Sequence, residues 1–395
     1  MYKLIRKGEV FMDLVKDLPE VFEEFAEQRK QSFLKVKEVK ENGVPVVGVF
    51  CTYFPHELAI AAEAVVVSLC STSDETIPDA ERVLPKTLCP LIKSSYGFAI
   101  TDKCPFFYFS DLVVGETTCD GKKKMFEYMG EIKPVHVMHL PDKQDEESLA
   151  LWKSEVKKMA DVLSEKFGKE ITEEKLKKAV YYRNEERKAL KQFYELMKMN
   201  PAPMTGEELF NVLYGNTFQM EVIPNAQRIY DLTEKIKAEY EEKKDTLQKK
   251  PRILITGCPI GGATVKVIRA VEENGGVVVT YENCNGAKQI DELVDESNPD
   301  VYEAIARRYL NIGCSVMSPN PNRKVLLKKL CEEYQVDGVL EMVLQACHTY
   351  NVESYSIGKF VREELGLPYM SVETDYSQSD KGQLSTRVAA FIEML

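Results

Sequence analysis

The chain has 395 residues, 44% hydrophobic and 29% charged, and its 63 acidic against 52 basic side chains leave a formal net charge of −11. This length suits two ordinary domains, or two plus a helical insert, and the composition is that of a globular protein able to bury a core in each. An acidic surplus argues against nucleic-acid binding, which wants a basic footprint, and no run approaches the roughly 18 apolar residues of a membrane span.

The amino-terminal MYKLIRKGEVFMDLVKDLPE carries charges within its apolar stretches and has no signal-peptide core, so a cytoplasmic protein is expected. Up to residue 143, VPVVGVF, AAEAVVVSLC and FFYFSDLVVG read as buried strands rich in Val and Phe, each followed by a polar turn. EEFAEQRKQSFLKVKEVKENG supplies an amphipathic helix before the first of them. Between residues 144 and 249 strand-like runs vanish. DEESLALWKSEVKKMADVLSEKF, TEEKLKKAVYYRNEERKALKQFYELMKM and NAQRIYDLTEKIKAEYEEKKDTLQKK show helical spacing with Glu/Lys pairs, whose charges are expected to form solvated faces. Within the same section TGEELFNVLYGNTF opens on a capping box, Thr205 to Glu208. From 250 to 395 alternation returns, with ILIT, GGVVVTYE, DGVLEMVL and LPYMSVETD as strands between helices. The expected fold is α/β: two open, doubly wound (Rossmann- or flavodoxin-like) parallel-sheet domains, 1–143 and 250–395, joined by a helical section at 144–249.

Between ILIT and the next helix lies GCPIGGAT, Gly257 to Thr264. It approaches the phosphate-binding loop pattern but lacks its lysine, having Ala263 there. It also fails the dinucleotide pattern, because Pro259 stands where a second glycine must allow close backbone approach. Direct nucleotide binding is therefore not expected. Cys258 in its middle points elsewhere.

Ten cysteines stand against four histidines, and disulfides are rare in a reducing compartment. An isolated cysteine is usually a small buried hydrophobe. Six of these, however, come directly after strands: Cys51, Cys70, Cys119, Cys258, Cys284 and Cys347. Ligands of open α/β sheets bind outside the carboxyl ends of the strands, so thiols from two domains are placed to converge on one cleft. Cys89-Pro90 sets a cysteine at a helix N-cap, and Cys258-Pro259 repeats the device. A thiolate there gains free N–H groups and the helix dipole. Lysines 122 to 124, in Cys119-Asp-Gly-Lys-Lys-Lys, either balance a negative cluster or face water. Soft sulfur ligands select zinc or iron–sulfur clusters, and with no CxxC pair zinc ribbons and ferredoxin loops are not expected.

Cys89-Pro-Leu-Ile-Lys-Ser-Ser, Cys119-Asp-Gly, FCTYFPHELAIAAEAVVVSLC and the closing ETDYSQSDKGQLSTRVAAFIEML resemble the 2-hydroxyacyl-CoA dehydratase family over nearly the whole chain. That resemblance implies two α/β domains with a helical section and a cubane iron–sulfur cluster held by Cys89, Cys119 and Cys347. VSLCSTSDETI, FYFSDLVVGETTCDGKKK, ITGCPIGGA, YENCNGAK and LQACHTY are similar to the double-cubane cluster protein branch. The branch implies a homodimer with an [8Fe-9S] cluster in each chain, charged by a separate ATP-hydrolysing iron–sulfur reductase and reducing small molecules such as acetylene.

A second cubane needs further thiolates. Cys284, Cys314 and Cys258 are the candidates, with Cys70 in reserve. Cys51, Cys104 and Cys331 are expected to be structural. His348, Glu116 and Glu282 are candidate proton donors, against helix capping for the histidine and structural pairing for the carboxylates. The competing readings are a dehydratase subunit with one [4Fe-4S] cluster and a non-catalytic electron-storage protein.

Overall fold

The computed structural model describes residues 23–395; the amino-terminal stretch considered for a targeting signal lies outside them. Two four-stranded sheets organise the chain. The first contains β1 (Val46–Val49), β2 (Val65–Ser68), β3 (Leu112–Glu116) and β4 (Val135–Met138) in the order β2-β1-β3-β4. The second contains β5 (Arg252–Gly257), β6 (Val277–Tyr281), β7 (Gly338–Leu344) and β8 (Tyr369–Thr374) in the order β6-β5-β7-β8. Every pairing is parallel. The two sheets thus share one topology, with the reversal of strand order beside β1 in one and β5 in the other, and the expected α/β class with two doubly wound sheets holds. Parallel strands covered on both faces read as continuous apolar runs, and β1, β3, β5, β6 and β7 are buried at every position.

Two local readings differ. FFYF is not strand but the helix Pro105–Phe109. Pro105 sits in its first turn and the Cys104 thiol accepts a hydrogen bond from Phe107 N–H, so an apolar run too short for its period to be diagnostic is capped as a helix. β4, which carries His136 and is mostly half-buried, has too weak an apolar pattern to be read as a strand.

Helices Glu146–Phe167, Glu173–Tyr194, Gly206–Asn216 and Val222–Lys243 form the section between the sheets. The Thr205 capping box is present in full, with Thr205 N–H donating to Glu208 at 2.8 Å and Glu208 N–H to the Thr205 hydroxyl at 3.1 Å. Glu173–Tyr194 packs on His56–Ala61 from the first sheet's side and on Ala287–Ile290 and Val301–Leu310 from the last third of the chain. Val301–Leu310 crosses over to pack against Glu146–Phe167, in a core that includes the fully buried Trp152 and one face of the first sheet. Among the described residues no helix is long and apolar enough to cross a membrane.

Not all charges of the middle section face water. Lys188–Glu185 and Lys237–Glu234 are surface pairs, as expected. Arg183, Glu186 and Arg187 are buried instead. Arg187 pairs with the buried Glu57 at 2.8 Å and donates to the Tyr309 hydroxyl at 2.9 Å, while that hydroxyl donates to Glu57 at 2.8 Å. These residues sit at helical spacings on a face that packs against other helices, so their period looks the same as a solvated one.

Candidate metal centre

Because all strands of a sheet run the same way, the residues that come after them gather on one side. Cys51 follows β1, Cys70 β2, Cys119 β3, Cys258 β5, Cys284 β6 and Cys347 β7. Cys89 and Cys314 reach the same crevice from loops. Cys104 caps a helix ahead of β3, and Cys331 is buried within Pro321–Glu333, where burial and then Glu332 push its thiol up to about 12. Both stand outside the gathering.

The thiols form groups. Cys347 stands beside the Cys258 and Cys89 thiols, which hold it well below the usual thiol range. Cys347, then burial, pushes Cys89 up; burial, then Cys347, does the same to Cys258. Cys89 is the N-cap residue of Pro90–Ile100, where the N–H groups of Leu91 and Ile92 oppose the rise of its thiol, and Cys347 is the N-cap residue of His348–Glu363. The turn that presents Cys347 places Ala346 at a left-handed φ of +56°, a conformation usually left to glycine and found at functional sites.

A second group is Cys51, Cys284 and Cys314. Burial pushes Cys51 and Cys314 up; Cys284 and Cys314 add to the rise at Cys51, and Cys284 to that at Cys314. Hydrogen bonds hold the backbone here: Thr52 hydroxyl to the Cys284 carbonyl at 3.3 Å, and Asn320 to the Cys314 carbonyl at 2.8 Å. Asn283 ties the groups together by donating to the Cys258 carbonyl at 2.6 Å. The structure therefore brings Cys258 to Cys89 and Cys347, and Cys51 to Cys284 and Cys314. Cys119 is the N-cap of Asp120–Met129 and, with Cys70, stands near Lys122.

Of the three consecutive lysines, Lys123 and Lys124 pair on the surface with Asp120 and Glu127 at 2.7 and 2.6 Å. Lys122 turns inward. Burial works against its charge, but Cys70, Cys51, Cys119 and Glu116 hold its pKa above the usual value, and the ammonium donates to the Phe50 carbonyl at 3.4 Å. The same carbonyl accepts from the Cys70 thiol at 3.0 Å.

Glu116, at the end of β3, is fully buried, and neither carboxylate oxygen has a hydrogen-bond partner among the described residues. Burial raises it to about 8, with Lys122 opposing. An orphaned acid of this kind is unusual in a folded core and marks functional sites. Between about pH 4.5 and 8 the folded chain keeps a proton that the unfolded chain has lost. Stability of the metal-free protein is therefore expected to fall across that window by up to a few kcal/mol. Glu116→Gln flattens the fall, as urea titrations at several pH values will show. A slope unchanged in the variant would mean that this carboxyl ionises normally.

Glu282 has a different setting. It is clamped by Lys288 at 2.9 Å and by the Thr256 hydroxyl at 2.6 Å, beside a buried Arg323 that also pairs with Glu341 at 2.7 Å. That is the structural pairing named as its alternative. His348 is exposed in the first turn of its helix.

GCPIGGAT makes a close turn. Gly257 has φ +106°, and a Cβ there would meet the Met342 carbonyl oxygen at 2.2 Å. Cβ atoms at Gly261 and Gly262 would meet Thr72, two residues beyond Cys70, at 2.5 Å each. These glycines let a loop from the first sheet approach, and the Thr264 hydroxyl already accepts from Gly261 N–H at 2.9 Å. Cys258 is not an N-cap, since the helix begins at Gly262; its sulfur accepts from Leu344 N–H at 3.3 Å instead.

No three of the His, Cys, Asp and Glu side chains among the described residues are set to hold a single metal ion. A cubane asks for something else, because each cysteine binds a different iron, so its ligands need not converge on one point. Eight thiols at one crevice, helix amino ends behind Cys89, Cys119 and Cys347, and an inward lysine suit a negatively charged iron–sulfur group. The donor set fits.

The sequence profile of a family described as 2-hydroxyglutaryl-CoA dehydratase, D-component, matches residues 51–395. The chain belongs to this family. It is 57% identical over 385 residues to "Putative dehydratase subunit YjiM" of Escherichia coli (strain K12), covering 97% of this chain and 100% of that one. It is 24% identical to the (R)-phenyllactyl-CoA dehydratase beta subunit of Clostridium sporogenes, over 95% and 97% of the two chains. With the lactoyl-CoA dehydratase subunit beta of Anaerotignum propionicum the identity is 22%, over 90% and 93%. The resemblance drawn from the sequence is thus established at the level of the dehydratase family.

Proposed function

We propose that this member of the dehydratase family is the substrate-reducing component of a two-protein system, holding an [8Fe-9S] double-cubane cluster charged by a separate ATP-hydrolysing iron–sulfur reductase. The observation that carries the reading is the second thiol group: Cys51, Cys284 and Cys314 stand together in addition to Cys89, Cys258 and Cys347. One cubane with an open iron uses only three thiolates. Under this reading Cys89, Cys258 and Cys347 hold one half, Cys51, Cys284 and Cys314 the other, and Cys70 and Cys119 stand beside Lys122 as further donors.

Bound there, the cluster supplies electrons of low potential, tuned by hydrogen bonds to sulfur and by solvent access. The chain's own residues do the rest. Leu344 N–H donates to the Cys258 sulfur. Lys122 sets a positive charge against the thiolates, and Glu116 keeps a proton at neutral pH close to where a reduced product needs one. With no lysine in GCPIGGAT, ATP belongs on the partner. The same reading makes the assembly a homodimer.

The second reading, favoured by the names of the relatives, is a dehydratase subunit acting on a 2-hydroxyacyl-CoA. Iron and acid-labile sulfide in anaerobically purified protein separate the two: roughly eight iron per chain supports the double cubane, and roughly four overturns it in favour of the single cluster. Turnover of acetylene with the reductase partner, against dehydration of a 2-hydroxyacyl-CoA, then tests the activity itself.

A further inference from the structure

A cavity of about 110 Å³ runs from the second thiol group to a buried cluster of arginines. Cys51, Cys284 and Lys122 line one end; His56, Arg183, Arg187 and Arg308 line the other. The loop from Cys51 to Pro55 joins the two ends, since His56 opens the next helix.

The charges at the arginine end do not balance. Arg183 pairs with Glu186 and Arg187 with Glu57. Arg308 has no carboxylate partner among the described residues. Its guanidinium donates only to backbone carbonyls, those of Glu292 at 3.3 Å, Lys288 at 3.4 Å and Gln289, and stacks 4.5 Å from the Tyr309 ring centroid. Arg308 Nη1, Arg183 Nε and Arg187 Nε are buried without hydrogen-bond partners. Three guanidinium groups thus face two carboxylates in a desolvated site, and an unpaired buried charge costs several kcal/mol. The strain shows at Arg308, where burial and then Arg187 bring the guanidinium down to about 10, and at His56, which burial and the three arginines keep neutral.

We propose that the arginine end of this cavity binds a small singly charged oxyanion, a carboxylate or an inorganic oxyanion of a few heavy atoms, with Arg308 as its counter-charge. Guanidinium groups match oxyanions by geometry as well as by charge. A single water needs about 10–15 Å³ of such space, so the cavity holds an anion of this size together with some water. Its position beside Cys51 and Cys284 makes small anions the substrate class of the chain. That last step rests on the proposed function; the binding does not.

Calorimetric titration of anaerobically purified full-length protein with acetate, nitrate and the neutral acetamide tests it. Acetate or nitrate is expected to bind saturably and acetamide about tenfold more weakly or not at all. Arg308→Gln is expected to weaken the anion by about tenfold or more, while Arg308→Lys, which keeps the charge, stays within a few-fold. Equal binding of acetate and acetamide, or anion affinity unchanged in Arg308→Gln, overturns the proposal. Should Arg308→Gln not fold, bromide soaked into wild-type crystals decides: an anomalous peak beside Arg308 supports the site, and none there overturns it. Iron content of the same preparations tells the two readings apart. Anion binding with roughly four iron removes the double cubane and leaves the anion site standing, and eight iron without anion binding does the reverse.

Discussion

Cys258→Ala is expected to strip about half the iron, roughly four ions per chain, from anaerobically purified protein, and Cys119→Ala to remove less. The Cys258 thiol is buried beside Cys347 and held in place by Leu344 N–H and, through its own carbonyl, by Asn283. Under the proposed ligation, its loss leaves Cys89 and Cys347 to hold that half of the cluster alone. Cys119 stands instead near Lys122, as the N-cap residue of Asp120–Met129. Iron and sulfide assays, with the visible absorbance of the cluster, give the answer. An unchanged content in Cys258→Ala would show that the grouping seen in the fold is not the grouping used for ligation.

The second large effect is on stability. Glu57→Ala is expected to cost about 3–5 kcal/mol, read as a lower urea midpoint, because it leaves Arg187 buried without its carboxylate. Two further guanidinium groups, Arg183 and Arg308, act on the same carboxyl and arginine pair, so the orphaned charge meets repulsion as well as desolvation. Burial works against the Glu57 charge, yet Arg187 and then Arg183 hold its carboxyl below the usual value. Its contribution is therefore present above the unfolded value and lost as acid protonates it through its lowered one. Adding Arg187→Met to Glu57→Leu is expected to recover most of the loss, since an apolar pair of similar volume replaces an ion pair cheaply. A double variant as unstable as Glu57→Ala would locate the cost in packing.

The fold class and the crevice were legible because parallel strands deliver their carboxyl ends, and the residues attached there, to one edge. A cysteine after β1, β2, β3, β5, β6 or β7 is fixed to one side of its sheet by direction alone. Which thiol meets which was not legible. That depends on how the second sheet sits against the first, and Thr72 packing on Gly261 and Gly262 is a contact between segments nearly two hundred residues apart. Cys258 accordingly joins Cys89, and Cys51, read as structural, faces Cys284. The Cys258-Pro259 pair looked like a cap only because Ile260 and Gly261 have no signal of their own for delaying the helix. Lys122 was one of two open choices, and helical phase decided it: its neighbours along the run pair outward with Asp120 and Glu127. The buried arginines were hidden for a plainer reason, since charge spacing on a helix is the same whether the face meets water or another helix.

Val301–Leu310 belongs by sequence to the half of the chain that builds the second sheet, yet it is seated in the core under the first. It acts as a latch. The lobes cannot swing apart as a hinge does without pulling Ile305 and Tyr309 out of a core they share with Trp152. The crevice that gathers the thiols of both sheets is thereby held to one shape.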